Sequence, residues 1–109
     1  METIVVEYLQ NGVSVFGEWF SSLDAQAAAK AATALYRLEQ GNLSSVKSVG
    51  QGVSEYKIDF GPGYRIYFGR EGNTLVVLLE VGSKKTQSRD IRKAQSLWAE
   101  YKKEKRRTK

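Results

Sequence analysis

The sequence predicts a single α+β domain of order β-α-α-β-β-β-α, an antiparallel sheet meander packed against helices. Three observations carry that expectation. The chain has 109 residues, enough for one domain and too few for two ordinary ones. Apolar residues recur every three or four positions between Ser14 and Gln40, alternate from Val53 onward, and return to helical spacing after Ser88. Finally, Gly61-Pro62-Gly63 and Glu71-Gly72-Asn73 are turn sequences short enough to join neighbouring antiparallel strands.

Each element follows from its residues. Thr3 to Leu9 is rich in β-branched and aromatic side chains and reads as a strand, closed by the turn pair Asn11-Gly12. Ser14 is placed to cap a short helix whose Phe16, Trp19, Phe20 and Leu23 share one face. A second helix starts near Asp24 and runs to Gln40, with Ala28, Ala31, Leu35 and Leu38 as its apolar stripe. Gly41-Asn42 suits its C-cap. The glycine- and serine-rich stretch 41–52 reads as a loop.

Three strands are then expected at Val53–Phe60, Tyr64–Gly69 and Thr74–Val81, the last apolar enough to be covered on both faces. A third helix is expected from Ser88 past Trp98, with Ile91, Ala94, Trp98 and Tyr101 on one face. The domain therefore covers residues 1–101. Residues 102–109, KKEKRRTK, carry no apolar stripe and are expected to fray as a basic tail.

Composition narrows the chemistry. There is no cysteine and no histidine, which removes disulfides, thiol nucleophiles, the usual transition-metal ligands and the histidine base of a serine triad. No nucleotide-binding glycine pattern is complete, so neither a metal nor a cofactor is expected. No secretory signal or membrane-length apolar run is evident, so a soluble, cytoplasmic protein with no membrane partner is expected. The net charge of +5 is uneven: residues 1–81 carry −3 and residues 82–109 carry +8. Such a segment is the electrostatic signature of a polyanion binder, or the solvated end of a helix.

Strand alternation puts Lys57 with Glu55 and Asp59 on one face, and Arg65 with Tyr67 on the next strand. These side chains are expected to point away from the main helix layer and to line one open surface. Lys84 and Lys85 follow the last strand, and Gln87 and Arg89 come soon after, bringing further polar groups to its rim. Converging cations suit a phosphodiester, because they stabilise the charge that builds up during phosphoryl transfer. RNA supplies its own nucleophile in the 2′-hydroxyl. An enzyme without histidine can therefore cleave it. The same polar pattern is also what any solvent-facing sheet presents.

The run Gly61-Pro62-Gly63-Tyr64-Arg65, continuing through Tyr67 and Phe68, and the spacing Lys84-x-Thr86-Gln87-x-x-Asp90-Ile91 resemble the RelE/ParE superfamily of type II toxins. The resemblance is nearest to its HigB-like, addiction-module killer branch and extends over nearly the whole chain. It implies a RelE-like fold and a ribosome-dependent endonuclease that cleaves mRNA by 2′-hydroxyl attack on the adjacent phosphate. It also implies a cognate antitoxin, a helix-turn-helix protein from an adjacent gene, with ribosome and mRNA as further partners.

Carried over by position, Lys57, Arg65 and Lys84 are the implied catalytic residues, with Asp59, Tyr67, Lys85, Gln87 and Arg89 in support. Lys102, Lys103, Arg106 and Arg107 are assigned to sequence-blind attraction to RNA. The sequence departs from the RelE-like pattern at Asp59, where a second basic residue is common, and at Ile91, where some members carry tyrosine or histidine. Lys57, Asp59 and Glu55 all remain candidates for the general base, with Lys84 protonating the leaving 5′-oxygen. Two alternatives stay open. One is a ParE-like toxin that inhibits DNA gyrase by protein contact; the other is a non-catalytic nucleic-acid-binding module.

Overall fold

The computed structural model describes residues 3–107. Strand β1 (Ile4–Glu7) is followed by a small hairpin, β2 (Leu9–Gln10) and β3 (Val13–Ser14), then by helices α1 (Val15–Ser22) and α2 (Ala25–Glu39). Strands β4 (Val46–Gly50), β5 (Val53–Ile58), β6 (Tyr64–Glu71) and β7 (Leu75–Gly82) come next. A 3-10 turn (Lys84–Thr86) leads into helix α3 (Gln87–Arg107). The main sheet has the order β1-β7-β6-β5-β4, antiparallel throughout except that β1 runs parallel to β7.

The expected α+β class and meander hold, and so does the expected cap at Ser14, whose Oγ accepts from the Gly17 amide at 2.8 Å. The second helix starts as expected near Asp24, which proves to be its cap: Asp24 Oδ1 accepts from the Ala27 amide at 2.9 Å. The C-cap is met by Gly41 at φ 77°.

Four expectations are corrected. The first strand does not run unbroken to Leu9: it ends at Glu7, and the hairpin β2–β3 folds about Asn11-Gly12, both with positive φ. Within the expected loop 41–52, β4 forms an edge strand paired to β5 through the left-handed pair Gln51-Gly52. A register shift between Ser48 and Gly50 breaks its alternation, which hides it from a period-two reading.

The third correction concerns α3, which stays helical through Arg107 instead of fraying after Tyr101; residues 108 and 109 lie outside the described residues. Its polar end is held by tertiary contacts. Lys105 pairs with Glu71, the Tyr8 hydroxyl meets Glu104 Oε1 at 3.4 Å, and Lys102 lies over the Trp98 ring. Fourth, the sheet face expected to be open is largely covered. Helices α1 and α2 pack on one face around Phe16, Leu38, Ile66 and Phe68. On the other, α3 packs Ala94, Leu97 and Trp98 against Val53, Tyr67, Val77 and Leu79. The result is three layers, helices on both sides of one sheet.

Two glycines make the α3 contact possible. A Cβ on Gly69 would come within 2.3 Å of the Trp98 ring, and one on Gly82 within 1.8 Å of Asp90 Oδ2. The indole and the carboxylate therefore rest directly on sheet backbone. Asp90 is buried and accepts from the Thr86 hydroxyl, which fixes the start of α3 against the end of β7. No described helix is long and apolar enough to cross a membrane.

Candidate functional site

Where α3 begins, its cover over the sheet ends and a pocket opens. Strand register makes Lys57 on β5 and Arg65 on β6 direct partners, so both side chains leave the same face. Together with Lys47, Asp59, Ser44 and Ser45 they line a pocket of about 410 Å³. Lys57 and Asp59 are exposed, whereas Arg65 is only 6% exposed. The pocket thus has exposed cations at its rim and one buried guanidinium in its wall.

Arg65 is fixed by the turn before it and the strand beside it. Its Nη1 donates to the Gly63 carbonyl at 2.8 Å, and its Nε lies 3.5 Å from Glu55 Oε2 without forming a hydrogen bond. Gly63 has φ 74°, and a Cβ there would sit 3.4 Å from that Nη1 and 3.8 Å from Lys84 Cβ. The Gly61-Pro62-Gly63 turn is therefore both the bend of the hairpin and the shelf on which Arg65 rests.

Glu55 is the hub behind the pocket. It is 1% exposed, a position a carboxylate holds only when its charge is answered. Gln87 Nε2 donates to its Oε2 at 2.8 Å, and Lys47 Nζ stands 3.8 Å from its Oε1. Its oxygens are thereby committed to Arg65, Gln87 and Lys47. Tyr67 lies opposite Glu55 in the β5–β6 register but fully buried beneath α3, which corrects its expected place on an open surface. Its hydroxyl faces the Glu55 carboxylate without a well-formed hydrogen bond among the described residues. Burial first, then the negative charge of Glu55, push its pKa upward, with Arg65 opposing, so the phenol is neutral and unsuited to act as a base.

The remaining expected residues divide by position. Lys84 is exposed at the head of the 3-10 turn, its Cβ beside the Gly63 shelf. Gln87 acts through Glu55 and not at the pocket surface. Lys85 and Arg89 are exposed, and Arg89 Nε lies 3.6 Å from Asp90 Oδ1. Lys102, Lys103, Arg106 and Arg107 are exposed on the last turns of α3. At 1.5 Å per residue the far end of that helix lies about 30 Å from Gln87, so these cations form a separate patch.

The sequence reading missed Lys47, because its strand was read as loop, and it placed Glu55 as a candidate base and not as the buried partner of Arg65. The only advance signal for Glu55 is a carboxylate on the same strand face as Lys57.

Residues 18–102 match the family described as "Phage derived protein Gp49-like (DUF891)". The chain belongs to the Gp49-like family. That family is RelE-toxin-like and occurs in toxin–antitoxin modules, which in general supplies an antitoxin partner. The Gp49-like chain is also 42% identical over 83 residues to an uncharacterized protein of Haemophilus influenzae, covering 75% of this chain and 84% of that one. No solved structure matches it.

Proposed function

We propose that this Gp49-like protein is the toxin of a type II module and a ribosome-dependent mRNA endonuclease of HigB-like type. The observation that supports the reading best is the register pairing of Lys57 with Arg65 at a pocket that Lys47 also lines. Three cations around one cavity suit a scissile phosphate and the charge it gains in the transition state.

The 2′-oxygen attacks the adjacent phosphorus while the bond from phosphorus to the 5′-oxygen breaks. Asp59 takes the 2′-hydroxyl proton and Lys84 gives one to the leaving oxygen, so the products are a 2′,3′-cyclic phosphate and a free 5′-hydroxyl. Asp59 is favoured over Glu55 because Glu55 is buried and committed to its partners, whereas Asp59 is exposed in the pocket wall. Lys57 and Arg65 hold the phosphate. No metal or cofactor takes part.

Purified protein added to programmed ribosomes is expected to cut within the A-site codon. Arg65→Ala is expected to slow that cleavage by about 10²-fold or more. Intact message, with loss of DNA supercoiling activity in a gyrase assay, would instead favour a ParE-like target.

A further inference from the structure

A second cleft adjoins the pocket around the open edge of β5. Strand β4 stops pairing at Val46 opposite Tyr56, and beyond that point the Lys57 amide reaches only the Ser45 carbonyl, at 3.3 Å. The edge of β5 at Lys57 and Ile58 is therefore free of a strand neighbour. On the α2 side of this edge lies a cleft of about 280 Å³, to which α2 contributes Lys30, Thr33 and Arg37. Ser45, Lys57 and Asp59 line both cavities, so the two are neighbours.

We propose that the α2 cleft is a second RNA subsite, which holds the nucleotides flanking the one bound at Lys57 and Arg65. The inference rests on the RNA-directed reading above and extends it from a single phosphate to a track. Along that track stand five cationic side chains, Lys30, Arg37, Lys47, Lys57 and Arg65, against two carboxylates, Glu55 and Asp59.

The cleft is also ordered to receive a chain. Arg37 Nη1 lies 3.4 Å from the hydroxyl of buried Tyr56, which aims the guanidinium at the β5 edge. Lys30 Nζ lies 5.7 Å from the centroid of the half-buried Phe60 ring. A base that displaces this ammonium from the ring gains a stacking surface, while the ammonium turns to its phosphate. An acidic peptide would use the cations but has no need of the aromatic face, which is why RNA is the better fit.

The test is fluorescence anisotropy with 2′-O-methyl RNA, which cannot be cleaved, in two lengths of about three and about ten nucleotides. Lys30→Gln/Arg37→Gln is compared with Lys57→Gln/Arg65→Gln and with the unaltered protein across a salt series. The proposal expects the first variant to bind the longer RNA more weakly, with a salt slope reduced by about 0.7 per lost phosphate contact. Its affinity for the shorter RNA should be unchanged. Equal affinity and slope for the longer RNA would overturn the subsite, while leaving the RNA-directed reading in place if the second variant still loses binding. A variant that loses a polyglutamate probe but not RNA would overturn it in favour of a protein surface. Failure of the unaltered protein to bind either RNA would overturn the subsite, whereas the RNA-directed reading itself falls only if message on programmed ribosomes also stays intact.

Discussion

Gln87, the first residue of α3, donates a 2.8 Å hydrogen bond to Glu55 in the interior of β5. The same carboxylate faces Arg65 and Lys47. The last helix is thus tied to the site through a buried charge, and not only through apolar packing.

Removing that charge should cost more than the interaction itself contributes, because Arg65 would stay buried without a counter-ion. Glu55→Gln is expected to destabilise the fold by about 3 kcal/mol. In a urea-denaturation cycle, adding Arg65→Leu should recover part of the loss. Two strictly additive effects would show that the pair is not energetically coupled.

Gly69 offers a second test, independent of charge. An added methyl would meet the Trp98 ring at 2.3 Å, and both the ring and the strand are held on their other sides. Gly69→Ala is expected to lower stability by about 1–3 kcal/mol, as overpacking does. In the background of Trp98→Leu the same glycine change should cost distinctly less. A chemical-denaturation midpoint for each variant decides it.

Tyr67 sets an alkaline limit. Its folded pKa lies above the ordinary 10.0, raised by burial and then by Glu55. Below pH 10 both folded and unfolded chains keep the phenol proton, and its contribution is complete. Above that value the unfolded chain releases the proton while the folded one retains it, so stability falls as pH rises. Tyr67→Phe should therefore flatten the decline above pH 10. Tyr8 moves in the same direction through partial burial and Glu104, so some alkaline slope should remain.

The distal cations should behave unlike the pocket. Changing Lys102, Lys103, Arg106 and Arg107 to glutamine is expected to leave single-turnover cleavage at saturation near its original rate. Half-saturation should shift to higher ribosome concentration, with a shallower salt dependence. A fall in the saturated rate comparable to that of Arg65→Ala would place those residues at the chemistry instead.

Much of this architecture was legible because local and tertiary signals agreed. Ser14, Asp24 and Gly41 mark helix ends by backbone chemistry that any fold must respect, and the alternation of Tyr56, Ile58, Ile66 and Phe68 marks one buried face. The other face was misread for a physical reason. Glu55, Arg65 and Tyr67 are polar, and a sequence does not show that a helix starting only at Gln87 will cover them. Lys47 was lost for a different cause: a bulged edge strand with two half-buried valines has neither periodicity nor bulk to announce it. The shared face of Lys57 and Arg65 was only conditional in the sequence, because it depends on the register that the tight glycine turn sets between their two strands.

The pairing of β1 with β7 bears on the order of events during synthesis. Ile4 must wait for Leu75 to complete its side of the sheet, and Tyr8 meets Glu104 only when nearly the whole chain exists. Gln87, too, arrives late at Glu55. Contacts so distant along the chain cannot reward folding while the C-terminal helix is still inside the ribosomal tunnel. Nascent chains arrested before α3 should accordingly be digested by protease far faster than released ones. A chain of this design completes its sheet only after its last helix has left the ribosome that made it.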